Sequence, residues 1–144
     1  MAKWQITSRE SRIYIASKTK HADKWCGLRD EGYPINSTWI DEAGVGETSD
    51  FTDLWMRCIR EASGADALIV YRERDEVLKG AFVEVGAALS NGVRVYAVGC
   101  GDLSWKNHPL VAECPSLDTA LEWAMRDTGS SLLPSRARKG GGRG

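Results

Sequence analysis

A single carboxylate, Glu84, interrupts the run LKGAFVEVGAALSNGVRVYAV (residues 78–98), which is otherwise small, apolar and punctuated by glycine. The pattern predicts a helix over about Gly80–Ser90, closed by Asn91-Gly92. On such a helix the neighbours of Glu84 one turn away are Gly80, Ala87 and Ala88, so no large side chain shields the carboxylate. Phe82, Val85 and Leu89 supply the bulk for packing. The dipole at the helix start is expected to keep Glu84 ionised, as a nucleophile needs. An ionised carboxylate held this way can attack the anomeric carbon of an N-glycoside from one face while the base departs from the other. The resulting covalent glycosyl-enzyme is then resolved by water or by a second base. The same spacing also suits a solvated helix glutamate among small packing residues, and composition alone does not choose between the two.

The elements that must position this carboxylate alternate along the chain. Arg12–Ser17 (RIYIAS) reads as a buried strand, Ala22–Asp30 as a helix, and Ile35–Ile40 (INSTWI), with its apolar-polar alternation, as a second, more exposed strand. The loop Asp41–Asp50 ends in Ser49 and Asp50, either of which can cap a helix over Phe51–Ser63. Gly64 stops that helix, and Ala65–Tyr71 (ADALIVY) is the continuous apolar run of a central parallel strand. After the charged loop Arg72–Lys79 come the Glu84 helix, a strand over Val93–Val98, a short fifth strand over Leu110–Cys114, and a helix over Leu117–Arg126 capped by Ser116. Regular alternation of this kind implies right-handed crossovers, hence an α/β domain over residues 1–128. The expected architecture is a flavodoxin-like or Rossmann-like three-layer sandwich with a mostly parallel sheet of about five strands. Ligands of such sheets bind at the carboxyl ends of the strands, here Ser17–His21, Asp41–Glu47, Arg72–Lys79 and Gly99–Trp105. The tail, residues 129–144, is rich in glycine and serine with Arg136, Arg138, Lys139 and Arg143 unopposed by acids, and is expected to be disordered.

Charge and cysteine usage narrow the class. A formal net charge of −1 gives no electrostatic reason to expect a nucleic-acid partner or an anionic membrane. No apolar run approaches the roughly 18 residues of a membrane span. Cys26, Cys58, Cys100 and Cys114 form no C-x-x-C pair, and with only His21 and His108 beside them no zinc-ligand spacing appears. A cytoplasmic protein without metal or cofactor, its cysteines serving as small core residues, is the expectation.

Three stretches, RIYIAS, ADALIVY and GAFVEVGAALSNGVRVYAVG, resemble the nucleoside 2-deoxyribosyltransferase superfamily, which includes nucleotide N-glycosidases. The most specific mark is G-x-x-x-E-x-G on a helix followed by a glycine-terminated strand; the likeness covers about residues 12–99. It implies that Glu84 is the nucleophile, that Gly80 and Gly86 shape the helix around it, and that Ser17, with Lys18 beside it, lies in the loop lining the sugar and base pocket. It further implies a homodimer or larger homo-oligomer acting on a nucleoside or nucleotide. An aspartate of that family, on the helix before the middle strand, is matched here by Cys58, Asp53 being the nearest acid. Asp75 or Glu76 would then supply the acid from the charged loop, with Asp75 the first candidate. Trp39 is a candidate to stack on a base, and Tyr71, Arg72, Lys79 and Gly80 border the same edge. Arg72, Arg74 and Lys79 are placed to hold a 5′-phosphate. Two other readings stand beside this one: a TIR-like NAD hydrolase using a glutamate on a comparable helix, and a nucleotide-binding sensor without catalysis.

Overall fold

Tyr14, Leu68 and Val95 lie side by side on three adjacent strands, and this row orders the whole domain. The computed structural model describes residues 11–43 and 50–129. In these, β1 (Ile13–Ala16), β2 (Ala67–Tyr71), β3 (Arg94–Val98) and β4 (Val111–Cys114) form one parallel sheet in the order β1-β2-β3-β4. The central strands are buried almost throughout, as their unbroken apolar sequences require. Three helices lie between strands and a fourth follows β4: α1 (Ala22–Asp30), α2 (Phe51–Ser63), α3 (Gly80–Ser90) and α4 (Leu117–Thr128). The α/β sandwich expected from the sequence is therefore present. Residues 44–49 of the loop before α2, and the tail beyond Gly129, lie outside the described residues. Among the described residues no helix is long and apolar enough to cross a membrane.

The strand pleat assigns the helices to faces. Tyr14 faces Cys58 of α2 and Glu84 of α3, which pack on each other. Tyr96, one residue out of phase with that row, turns the other way: its ring meets Trp123 of α4 edge-on and its hydroxyl donates to Asp127 at 2.5 Å. Asp50 caps α2 by accepting from the Asp53 N–H, and Ser116 caps α4 through Thr119 N–H.

The sheet has four strands rather than five. Ile35–Ile40 does not form a strand: Ile35 makes one parallel bridge to Ile13, and Thr38–Asp41 is a 3-10 turn. Ile13 pairs with Ala67 on its other side, so Ile35 lies on the outer edge of β1, where the second strand of a flavodoxin-like sheet would run. Side chains complete the ladder there. Ser37 Oγ accepts from Ile15 N–H at 2.7 Å, and Trp39 Nε1 donates to Ile15 O at 2.9 Å. The backbone groups of the β1 edge are thus satisfied without a neighbouring strand.

Two glycines are fixed by close approach. At Gly99, where φ is +78°, a Cβ would stand 2.1 Å from the Arg72 carbonyl oxygen. Only glycine lets β3 leave the sheet against the end of β2. At Gly80 a Cβ would stand 2.9 Å from the Trp55 ring, so the missing side chain lets α3 start against that indole. At Gly86 no atom beyond the helix's own neighbouring backbone lies within 4 Å of an added Cβ, and packing against other elements does not explain this glycine.

Candidate active site

Glu84 occupies the second turn of α3, one turn beyond the glycine that meets Trp55. Its side chain is not solvated: the residue is 7% exposed. Burial pushes its carboxyl up to about 8, offset in part by hydrogen bonding with the Tyr14 and Cys58 side chains, while the nearby Glu61 charge pushes it further up. The expected ionised glutamate is therefore corrected. The dipole at the start of α3 does not outweigh desolvation, and Glu84 is held mainly in its protonated form at neutral pH.

Tyr14 was missed by sequence reasoning. It is wholly buried in β1, and its hydroxyl has no well-formed hydrogen bond, although it lies near enough to Glu84 and Cys58 to influence both. Its own ionisation is strongly disfavoured, first by burial and then by the Glu84 charge. The signal was a tyrosine inside an otherwise aliphatic strand, whose hydroxyl needs a partner wherever the ring is buried. Cys58 comes from α2, at the position where the resemblance implies an aspartate, and it does face the glutamate. Burial raises its thiol to about 11, so it stays neutral.

Two cavities open beside this cluster and share Ser17 and Thr19. The smaller, about 70 Å³, is lined by Trp39, Leu54 and Cys58 together with Glu42 and Ala43. The larger, about 310 Å³, is bounded by Lys18, Lys79, Gly80 and the Trp55 ring. Lys79 precedes the first turn of α3, whose leading N–H groups have no side-chain cap. Two cations and a helix start thus border the larger cavity, a setting suited to an anionic group.

The remaining sequence candidates divide. Ser17 lines both cavities, with its hydroxyl accepting from Trp25 Nε1 at 2.9 Å and donating to Lys18 O at 2.9 Å. Trp39 lines the smaller cavity, its indole N–H held by Ile15 O. Tyr71 borders neither cavity: its ring packs edge-on against His21 and Trp25, and its hydroxyl donates to Glu73 at 2.5 Å. Arg72 is spent on structure, donating to Glu76 O, Gly99 O and the Asp102 carboxylate at 2.7, 3.0 and 2.9 Å. Asp75 is exposed in the turn and lines neither cavity. Its neighbour Glu76 is tied to His21 at 2.8 Å and Lys20 at 3.3 Å. Burial works the other way, but the Glu73 N–H, His21 and Lys20 together hold the Glu76 carboxyl below the usual range. Cys58, Ser17, Lys18, Trp39, Lys79 and Gly80 therefore line the cavities, whereas Glu84 and Tyr14 line neither and connect to the smaller one through Cys58. Tyr71, Arg72 and Asp75 border neither cavity.

A protonated, buried carboxyl can deliver a proton; once ionised and shielded from solvent, it is a nucleophile. Comparison with known protein families and with curated proteins returned no match.

Proposed function

We propose that the chain cleaves or transfers the N-glycosidic bond of a nucleoside or nucleoside 5′-monophosphate, with Glu84 as nucleophile. The observation that carries this reading is the cluster of Glu84 with the Tyr14 hydroxyl and with Cys58, which lines the smaller cavity at the carboxyl edge of the sheet. In this reading the ionised Glu84 attacks the anomeric carbon, the base leaves with the bonding electrons, and a glycosyl ester forms. Tyr14, keeping its proton, donates a hydrogen bond to the Glu84 carboxylate and so lowers the cost of ionising it. Water, or a second base, then attacks the ester and regenerates the carboxylate. Lys18, Lys79 and the start of α3 receive a 5′-phosphate in the larger cavity. The base lies toward Trp39 in the smaller one.

Cys58 alters the chemistry of departure. A thiol whose pKa is raised to about 11 is a weak proton donor, so the base must leave with less acid assistance than an aspartic acid would give. That favours bases that leave readily as anions or that carry their own proton. The same observation favours a second reading, a nucleotide-binding sensor that does not turn its ligand over. The assembly into a homodimer or larger homo-oligomer and the cytoplasmic setting belong to the proposal with the activity.

Intact-mass spectrometry after rapid acid quench separates the two readings. Incubation with a panel of nucleosides and 5′-monophosphates should add one glycosyl group to the chain, mapped to the peptide containing Glu84 and absent in Glu84→Gln. A melting shift with one of these ligands, without adduct or free base, would select the sensor.

A further inference from the structure

His21, Glu73 and Glu76 come from segments far apart in sequence, yet their ligand atoms lie within 4.8 Å of one another. His21 belongs to the 3-10 turn Thr19–His21 after β1, and the two glutamates to the turn after β2. Both carboxylates converge on one imidazole nitrogen: Glu76 Oε2 is 2.8 Å from His21 Nε2 and Glu73 Oε1 is 4.0 Å away. Each carboxylate has its other oxygen pinned by a separate donor. Tyr71 Oη donates to Glu73 Oε2 at 2.5 Å, and the Glu73 backbone N–H donates to Glu76 Oε1 at 2.9 Å. Outer donors of this kind orient the ligands of metal sites.

An ordinary ion pair needs one carboxylate beside the imidazole; this turn brings two. His21 is 8% exposed, which gives it a fixed direction, whereas Glu73 is about half exposed and leaves the cluster open on one side. The cation that stands there is Lys20, whose Nζ lies 3.3 Å from Glu76 Oε2 and whose side chain is 66% exposed, free to swing into water.

We propose that His21, Glu73 and Glu76 bind a divalent transition-metal ion, with zinc the first candidate, and that the ion clasps the Thr19–His21 turn to the loop after β2. An imidazole with two carboxylates suits zinc or manganese better than magnesium or calcium, which take all-oxygen sets. With bonds near 2.0–2.1 Å, ligand atoms around a tetrahedral ion stand about 3.3 Å apart. The Glu76–His21 distance opens slightly and the Glu73–His21 distance closes to reach it. His21 ligates through Nε2 in the tautomer that carries its proton on Nδ1. Thr19 on one side of the clasp, and Val77 and Leu78 on the other, line the larger cavity, so the ion would hold two of its walls together. The inference stands independently of the glycosidic reading.

The test uses the full chain, stripped with chelator and titrated with zinc chloride by calorimetry and thermal shift, with cobalt(II) as the spectroscopic probe. One equivalent of zinc should bind and raise the melting temperature. Glu73→Gln, a half-exposed change that leaves the core intact, should weaken binding about tenfold or more. Lys20→Met should tighten it by removing the competing cation. The cobalt spectrum should show bands of nitrogen and oxygen ligation. Binding unchanged by Glu73→Gln, thiolate charge-transfer bands that put the metal on cysteine, or no binding by either the wild type or Lys20→Met would overturn the proposal.

Discussion

Replacing Glu84 by glutamine should stabilise the protein, and by an amount that grows with pH. The carboxyl titrates near 8 in the folded protein and at its ordinary value of 4.5 in the unfolded chain, so between those values the folded chain binds a proton that the unfolded chain has lost. The wild type therefore has its full stability below about pH 4.5 and loses it as the pH rises through 8. At 1.36 kcal/mol per unit, two-state linkage gives a loss of about 2.5 kcal/mol between pH 5 and pH 7. Glutamine keeps the shape of the protonated acid but has no proton to lose. Differential calorimetry of both proteins across this range cancels every other titrating group. The gap in melting temperature should be small at pH 5 and widen by about 10 °C at pH 7, with the glutamine form the more stable. Parallel curves, with a gap constant to within about 0.5 kcal/mol, would refute the reasoning that Glu84 is buried as a neutral acid.

Two further substitutions test the neighbours of that acid. Tyr14→Phe removes a buried hydroxyl without a well-formed bond, so it should cost less than about 1 kcal/mol at pH 6. It should also move the Glu84 titration, read from the pH dependence of stability, to higher pH; an unmoved titration would show that the hydroxyl does not reach the carboxylate. Ser37→Ala strands the Ile15 N–H inside the protein and should cost about 1–3 kcal/mol in urea denaturation. A cost below about 0.5 kcal/mol would mean that the β1 edge finds another partner.

The three-layer arrangement was legible because Ile13–Ala16 and Ala67–Tyr71 are unbroken apolar runs, and only a strand covered on both faces needs that. INSTWI misled because alternation is blind to what the inward side chains do. Ser37 and Trp39 do point inward, but their polar atoms replace the strand hydrogen bonds instead of accompanying them. The place of Glu84 on its helix was likewise readable, whereas its protonation was not. Its carboxyl is governed by burial and by Tyr14 and Cys58, which reach it from β1 and α2, and local spacing carries no record of such contacts. Arg72 shows the same limit: in sequence it is one cation among several in a charged loop, and only the fold supplies Asp102 and Gly99 to occupy it. The His21, Glu73 and Glu76 group has no motif spacing at all and exists only because β1 and β2 are neighbours.

The most direct measurement of the central proposal is chromatographic detection of free base. Wild type and Glu84→Gln would be incubated with nucleosides, 5′-monophosphates and NAD, with and without a second free base. Release by the wild type, rising from pH 6 to 8 as Glu84 ionises and abolished in the glutamine variant, is the predicted result. No release from any substrate, or equal release by both proteins, would contradict Glu84 as the nucleophile of an N-glycosyl enzyme.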